Sequence, residues 1–220
     1  MRPWVTLATS PTPDGTELTL WQRGGELVIR ADGRDLMSNR MHGSEETMAK
    51  LALAPNGPES RVLVGGLGMG FTLRAALDVL PPGGRCTVVE LIPAVVEWNR
   101  GPLAALAGSP LDDPRVDLVM GDVVDVLRAE ERAWDSILLD VDNGPESFTQ
   151  EGNGGLYHLG GLNRTRMALK KGGVLAVWSA YEYPAFEARL ARAGFTVRAH
   201  KVRARGPAGG PRHTIYVGRT

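Results

Sequence analysis

The sequence predicts an α/β protein in which helices cover both faces of a doubly wound, mostly parallel, seven-stranded sheet. The first observation is the alternation of short apolar runs with helix-forming segments from residue 61 onward, which is typical of parallel sheets. The second is a glycine-rich turn between the first of these runs and its helix, at residues 65–70. The third is the end of the chain, where two alternating runs flank a turn rich in glycine and proline, which predicts an antiparallel hairpin.

The first 42 residues differ in character from the rest of the chain. Alternating apolar and polar residues over 16–21 and 26–31 flank Arg23-Gly24-Gly25, which indicates a hairpin. We expect a small N-terminal β-hairpin element over residues 1–42 and one Rossmann-type domain over residues 43–220. The edges of the β-element could pair two copies into a homodimer, or the element could fold over the site as a rim.

The domain that follows begins with a helix near residues 44–54, with Ser44 as the expected N-cap and Glu45 and Glu46 in the first turn. Strands are expected near 61–65, 85–90, 115–119, 135–141 and 173–178, and helices near 70–80, 93–106, 122–130, 158–170 and 183–193. The closing hairpin is expected to pair residues 195–205 with residues 213–217.

Length and charge restrict the classes of function. A chain of 220 residues can form one domain with a substantial core. Lys plus Arg and Asp plus Glu both number 25, so no net field draws the protein toward nucleic acid or an anionic membrane. We find no membrane span, signal peptide or metal-ligand spacing, and the single cysteine, Cys86, excludes an internal disulfide. A cytoplasmic protein that binds neither nucleic acid nor membrane nor metal is therefore expected.

The glycine-rich turn indicates the ligand class. Glycines allow the backbone to approach a ligand closely, and the helix that follows offers unpaired N–H groups. A dinucleotide-binding turn has the spacing Gly-x-Gly-x-x-Gly with a small third residue, but Phe71 is large. The spacing of Gly66, Gly68 and Gly70 instead resembles the first motif of the class I S-adenosylmethionine-dependent fold. The alternative is a glycine-rich turn in some other α/β protein.

Acidic residues follow the next three strands. Glu90 ends the second strand, Asp122 follows the third and Asp140 follows the fourth. Because ligands of open α/β sheets bind beyond the carboxyl ends of the strands, Glu90 is expected to accept hydrogen bonds from ribose hydroxyls. Asp122 could accept the exocyclic amine of adenine, or could act only as the N-cap of the next helix.

Asp140 is the predicted catalytic residue. It follows the apolar run Ile137-Leu138-Leu139, and a carboxylate at the end of a buried strand is costly unless it is partnered. Such a group can bind a cationic amine and accept its proton. Asp142 could assist, and Tyr157 could line the acceptor pocket. The alternative is a strand end without chemistry.

With these residues the chain resembles the spermidine synthase family, the polyamine aminopropyltransferases. Such enzymes transfer the aminopropyl group of decarboxylated S-adenosylmethionine to a diamine such as putrescine. The resemblance implies that Asp140 is the catalytic acid, that Glu90 holds ribose and that Asp122 holds adenine. Besides the N-terminal β-element, the segments that carry the resemblance are Gly66-Leu-Gly-Met-Gly-Phe-Thr-Leu-Arg74, Val88-Val-Glu90-Leu-Ile-Pro93, Asp113-Pro-Arg-Val116, Gly121-Asp122, Asp140 with its loop, Leu156-Tyr157 and Leu169-Lys-Lys-Gly-Gly-Val174.

The chain departs from the family at three places. Met69 stands where the family's glycine loop carries an Asp that holds the donor's ammonium, and Asn143, expected in the acceptor pocket, replaces the family's second acid. Gly43-Ser44-Glu45-Glu46 replaces a Tyr-His-Glu segment. Met69 favours intact S-adenosylmethionine, because a helix N-terminus near Gly70 suits the carboxylate that the decarboxylated form lacks.

We therefore expect a transferase that moves a group from S-adenosylmethionine, or from its decarboxylated form, to a small-molecule amine. The first alternative is a methyltransferase acting on a small molecule, which would leave S-adenosylhomocysteine rather than methylthioadenosine. The second alternative is a non-catalytic regulatory protein that binds the donor.

Overall fold

The computed structural model of the chain describes residues 2–12, 15–53, 57–141 and 154–220. The strands are β1 Val5–Pro11, β2 Glu17–Arg23, β3 Glu26–Ala31, β4 Arg34–Ser38, β5 Arg61–Gly65, β6 Arg85–Glu90, β7 Val116–Met120, β8 Trp134–Leu139, β9 Leu169–Ser179, β10 Thr196–Arg203 and β11 Arg212–Arg219. The α-helices are α1 Gly43–Leu53, α2 Phe71–Val79, α3 Pro93–Arg100, α4 Val123–Ala129, α5 Gly154–Tyr157, α6 Leu159–Ala168 and α7 Pro184–Arg192. Short 3-10 helices cover Ala104–Ala107, Pro110–Asp112 and Gly206–Ala208.

The larger sheet confirms the predicted fold class. Within the described ranges it has seven strands in the order β10-β11-β9-β8-β5-β6-β7. The strands from β5 to β9 pair in parallel, and β11 and β10 close the sheet in antiparallel pairs. Val62 and Val64 of β5 belong to the core on one face, and Leu63 belongs to the core on the other. This alternation shows that helices bury both faces of the sheet.

The N-terminal region is larger than a single hairpin. Strands β1 to β4 form an antiparallel meander, four strands wide in the part of the chain described. Leu18 and Ile29 of this meander lie in the same buried cluster as Met48 of α1 and Leu73 of α2. The meander therefore packs against the helices that precede and follow the glycine turn, and the division at residue 42 stays a prediction.

Two elements differ from their predicted bounds, each for a local reason. Helix α3 ends at Arg100 rather than near residue 106, because Pro102 disfavours helical backbone at Gly101. Strand β9 begins at Leu169 rather than near residue 173, and its pairing with β8 shifts register between Trp134 and Ser136. The glycines of the Lys-Lys-Gly-Gly segment thus lie inside a strand that is interrupted by an irregularity.

The strand order reverses at β5, with β6 and β7 on one side and β8 and β9 on the other. Backbone hydrogen bonds join the loops at this edge. The N–H of Gly66 donates to Val89 O and the N–H of Asp140 donates to Gly65 O, each at 2.9 Å. The loops after β5, β6 and β8 therefore meet at the topological switch point, where ligands of open α/β sheets bind. Among the described helices, none is both long enough and apolar enough to cross a bilayer.

Candidate active site

The glycine loop lies directly against Asp140. Gly66 has a φ of +90°, and a Cβ built on it would overlap the carbonyl oxygen of Asp140. Only glycine fits this combination of left-handed backbone and close approach. The loop that was expected to hold the donor and the carboxylate that was expected to act on the acceptor are therefore neighbours.

Helix α2 begins immediately after Gly70, which has a φ of +83° and acts as the N-cap residue without a side-chain cap. Asn99 of α3 fixes the loop from the other side, because its Nδ2 donates to Gly68 O at 2.8 Å and to Val95 O at 2.8 Å. Sequence reasoning missed Asn99, since nothing in its helix distinguishes it from a surface polar residue. Asn99 thus ties the glycine loop to α3.

Met69 does not face the crevice, because only 3% of its surface is exposed and it packs in the core beneath the loop. Phe71 stacks on His42, with ring centroids 4.3 Å apart. Met37, from β4, does reach the loop: its Sδ would lie 3.1 Å from a Cβ at Gly68. The N-terminal meander therefore contributes a thioether to the rim of the glycine loop.

Glu90 bridges two loops of the site. Its Oε2 accepts from Leu67 N at 2.9 Å and its Oε1 accepts from Ile92 N at 2.8 Å. Burial raises the pKa of Glu90, and the backbone N–H groups of Ile92 and Leu67 oppose that rise. Backbone N–H groups of the two loops therefore engage both carboxylate oxygens.

Asp122 is the N-cap of α4, as one of the two interpretations of the sequence expected. Its Oδ1 accepts from Val124 N at 2.8 Å. The other carboxylate oxygen accepts no hydrogen bond from the described residues, so the cap and the predicted adenine contact are compatible. Gly121, just before it, donates its N–H to Glu90 O at 2.9 Å, which holds the two acids on adjacent strand ends.

Asp140 follows β8 and is partly buried. The Thr72 hydroxyl, in the first turn of α2, donates to Asp140 Oδ2 at 2.5 Å. Burial raises the pKa of Asp140, and this hydrogen bond acts in the opposite direction. Thr72 was not predicted as a site residue, although it lies directly after the glycine motif. A half-buried carboxyl with a raised pKa and one fixed oxygen is suited to proton transfer.

A second carboxyl, that of Glu45 in α1, approaches Asp140. Burial and the charge of Asp140 raise the pKa of Glu45 to about 8. Ser44, expected to be an N-cap, is instead completely buried inside the first turn, and its Oγ donates to Glu45 Oε2 at 2.6 Å. The sequence offered one signal, a Ser-Glu pair in the helix before the glycine loop, but the pair was interpreted only as cap and dipole residues.

The remaining predicted acceptor residues were Asp142, Asn143 and Tyr157. Asp142 and Asn143 lie outside the residues that the structure describes. Tyr157 is 1% exposed and packs edge-on against Phe186 with ring centroids 5.6 Å apart. It lies in the core beneath the helices α6 and α7, and a contact with the acceptor stays a prediction. Among the described residues, no group of three or more His, Cys, Asp or Glu is arranged to hold a metal ion.

Comparison with known proteins identifies the family. Residues 41–192, which make up more than half of the chain, match the family model described as the spermine/spermidine synthase domain. The chain belongs to the spermine/spermidine synthase family. The matched segment contains every residue of the glycine loop together with Glu45, Glu90, Asp122 and Asp140.

Curated members of this family share short, clear segments with the chain. A polyamine aminopropyltransferase of Korarchaeum cryptofilum is 33% identical over 89 residues, which cover 40% of this chain and 27% of that protein. Polyamine aminopropyltransferase 1 of Streptomyces coelicolor is 38% identical over 98 residues, which cover 43% of this chain and 18% of that protein. The matched segments therefore span about a quarter of the length of the first relative and about a fifth of the length of the second.

Solved structures extend the similarity in fold to nearly the whole chain. Spermidine synthase from Thermotoga maritima matches with a TM-score of 0.75 at 18% identity, covering 97% of this chain and 72% of that one. A spermidine synthase in complex with the transition-state analogue AdoDATO matches with a TM-score of 0.78 at 20% identity, covering 97% of this chain and 73% of that one. At this identity the matches establish the fold, including the N-terminal meander and the C-terminal hairpin.

Proposed function

We propose that this protein transfers the aminopropyl group of decarboxylated S-adenosylmethionine to a small-molecule amine. The single observation that carries the proposal is the carboxyl of Asp140, half-buried beside the glycine loop and oriented by the Thr72 hydroxyl at 2.5 Å. Membership of the spermine/spermidine synthase family supports it. The names of the curated relatives, which are polyamine aminopropyltransferases, agree with it.

The proposed reaction is an in-line displacement. The amine nitrogen attacks the methylene carbon beside the sulfonium sulfur, the C–N bond forms as the C–S bond breaks, and the electron pair returns to sulfur. The neutral thioether, methylthioadenosine, leaves. An amine is a nucleophile only when it has lost its proton, and Asp140 is the group that accepts this proton. The protein's other contribution is to align the two reactants and exclude water.

The donor is proposed to lie across the glycine loop. Gly66, Gly68 and Gly70 leave the backbone free to approach it, because no Cβ intervenes. The Glu90 carboxylate would accept the ribose hydroxyls, and the second oxygen of Asp122 would accept the adenine amine. The backbone bonds already present would hold both acids in place.

Methyl transfer from intact S-adenosylmethionine is a second candidate, favoured by one observation. Met69 supplies no carboxylate to the loop and its side chain is buried, so the loop itself offers nothing to neutralise the ammonium of a decarboxylated donor. A reaction that uses only the methyl group needs no such contact.

The nucleoside by-product distinguishes these reactions. The protein is incubated with each donor and a panel of mono-, di- and triamines, and the nucleoside is identified by mass. Aminopropyl transfer yields methylthioadenosine. In that case Asp140→Asn is expected to lower kcat by about 10²–10⁴-fold. The control Asp125→Asn, on the exposed face of α4, should leave kcat unchanged. S-adenosylhomocysteine would identify a methyltransferase, and donor binding without turnover would identify a binding protein.

We also propose that two copies pair through the outer edge of the N-terminal meander. Val5 and Leu7 of β1 are 54% and 40% exposed on an edge strand, which is a surface that proteins ordinarily cover. Light scattering of the protein and of Leu7→Lys tests this, because a dimer that becomes monomeric on substitution supports the interface. The cytoplasmic location stays a prediction, which cell fractionation would test.

A further inference from the structure

The Ser44 hydroxyl is the centre of a hydrogen-bonded group that the reaction described above does not use. It is completely buried, and three polar atoms surround it. Glu45 Oε2 lies at 2.6 Å, His213 Nδ1 at 2.9 Å and Trp178 Nε1 at 3.1 Å. His213 is at the start of β11, 169 residues away from Ser44. The fold has therefore brought an acid, a hydroxyl and an imidazole into one hydrogen-bonded group.

A count of hydrogens shows that this group has two states. The Trp178 N–H can only donate, and Ser44 has a single hydrogen to give. If Ser44 donates to the Glu45 carboxylate, then His213 Nδ1 must carry a hydrogen. If Ser44 donates to His213 Nδ1, then Glu45 must be protonated. The two states differ only by the movement of one proton between Glu45 and His213 through the serine hydroxyl.

The two ends of this group lie in different environments. Glu45 faces the charge of Asp140, which together with burial raises its pKa, and Glu46 adds a smaller repulsion from the same helix. Within the described ranges neither Glu45 nor Asp140 has a Lys or Arg partner within 4.0 Å. His213 is only partly buried, and its ring stands edge-on to Trp178 with centroids 4.7 Å apart. One end therefore lies in the electrostatic field of Asp140, and the other reaches the surface.

We propose that Glu45, Ser44 and His213 form a proton-transfer chain through which Glu45 exchanges its proton with solvent when a cationic amine binds beside Asp140. This inference rests on the proposed function, in which the acceptor is such an amine. The residues act through Asp140 and do not themselves contact the reacting carbon. Because the tautomer of His213 can be measured without substrate, the chain can be tested even if the transfer reaction fails.

The proton balance of the cycle is complete. An incoming ammonium group beside the two carboxyls lowers the pKa of Glu45 by its positive charge. Glu45 then gives its proton to Ser44 as Ser44 gives its own to His213 Nδ1, and the imidazolium releases one proton to water. When the cation leaves, the same steps run in reverse. His213 takes a proton from water at Nε2, and Nδ1 returns its proton through Ser44 to Glu45, which restores the neutral carboxyl and the Nε2–H tautomer.

The first test requires no substrate. Nitrogen NMR of the imidazole reports which ring nitrogen carries hydrogen. At neutral pH His213 is expected to be the Nε2–H tautomer, and to shift toward Nδ1–H as Glu45 ionises at a pH of about 8. In Glu45→Gln this shift should disappear, whereas Glu46→Gln, the exposed neighbouring acid, should retain it. The same pH-dependent shift of the His213 tautomer in Glu45→Gln as in the wild type would overturn the proposal.

The second test uses turnover. Ser44→Ala and His213→Ala are expected to lower kcat by about 10–100-fold with little change in KM for the amine. Imidazole added to His213→Ala should restore the rate, which it would not do for a purely structural histidine. His213→Gln, which keeps a hydrogen-bonding side chain, serves if the alanine variant does not fold. An unchanged kcat in folded variants, or a loss that imidazole does not restore, would contradict the chain, whereas an inactive wild-type protein would contradict only the transfer reaction.

Discussion

The Thr72 hydroxyl and the Asp140 carboxyl are joined by a hydrogen bond of 2.5 Å between the first turn of α2 and the end of β8. This bond connects the helix that follows β5 to the end of β8, at the topological switch point. It engages one oxygen of Asp140, while the other accepts no hydrogen bond from the residues that the structure describes, and it favours the ionised form against the effect of burial. The helix that follows the glycine loop thereby orients the proposed base and opposes the effect of burial on its pKa.

Replacement of Thr72 by valine tests this relationship, because valine keeps the shape and removes the hydroxyl. A hydrogen bond to a charged group contributes about 1.5–3 kcal/mol, so the pKa of Asp140 should rise further. A base acts when ionised, and the acidic limb of kcat/KM should therefore move to higher pH, with about a tenfold loss of rate at neutral pH. Thr165→Val, which removes a buried hydroxyl bonded to Gly161 in α6, is the control. A pH profile identical to that of the wild type would exclude this role for Thr72.

Gly66 is expected to tolerate no side chain. A Cβ there would overlap the carbonyl oxygen of Asp140 on backbone with a φ of +90°. At Gly24, which has a φ of +62°, a Cβ would meet no other atom. Gly24→Ala therefore measures only the loss of stability from a side chain on left-handed backbone, about 1–2 kcal/mol. Thermal or denaturant unfolding should show a larger loss of stability for Gly66→Ala than for Gly24→Ala, together with loss of donor binding. Equal losses in the two variants would mean that the loop can move away from Asp140.

Glu90 is expected to contribute to donor affinity. Glu90→Gln replaces one carboxylate oxygen by an NH₂ group, which cannot accept a hydrogen bond. The backbone N–H of either Leu67 or Ile92 therefore loses its acceptor. An unpaired buried N–H costs about 1–3 kcal/mol, so the loop should loosen and the Kd for the donor should rise by about 10–100-fold. Calorimetry with S-adenosylmethionine and its decarboxylated form measures this. Glu97→Gln, exposed on α3, is the control, and an unchanged Kd in Glu90→Gln would argue against the ribose contact.

Glu45 should make the free energy of unfolding depend on pH. Its pKa is raised from 4.5 to about 8 in the folded protein, so the folded state binds the proton more tightly than the unfolded state. This contribution is fully present below pH 4.5 and is lost as the pH rises to about 8. Denaturant unfolding across this pH range should show that the free energy of unfolding of the wild type falls by about 1–4 kcal/mol relative to that of Glu45→Gln. A constant difference between the two proteins would mean that the pKa is not raised.

The parallel sheet could be predicted from the sequence because each strand is a short apolar run bounded by turn residues. Val62 to Val64 and Ile137 to Leu139 are buried on both faces of the sheet, and such runs depend little on distant contacts. The positions of Gly66, Glu90, Asp122 and Asp140 followed from the same logic, since side chains at strand ends of a parallel sheet meet at one edge. What these residues bind stays a prediction.

The group around Ser44 could not be predicted in the same way. Its members come from α1, β9 and β11, and their proximity depends on how the antiparallel hairpin closes the sheet. Ser44 looked like an N-cap because serine commonly occupies that position, yet the helix begins at Gly43 and the serine is buried. Tertiary packing decided the place of Ser44. Tyr157 was expected near the acceptor from its place in the chain; its side chain is buried, and the contact with the acceptor stays a prediction.

The most direct measurement is a crystal structure of the protein with decarboxylated S-adenosylmethionine or methylthioadenosine bound. We expect the ribose hydroxyls to lie on Glu90, the nucleoside to follow the backbone of Gly66 and Gly68, and the sulfur to face the Asp140 carboxyl. A nucleoside bound away from this crevice, or a crevice still closed over Gly68 by the thioether of Met37, would contradict it.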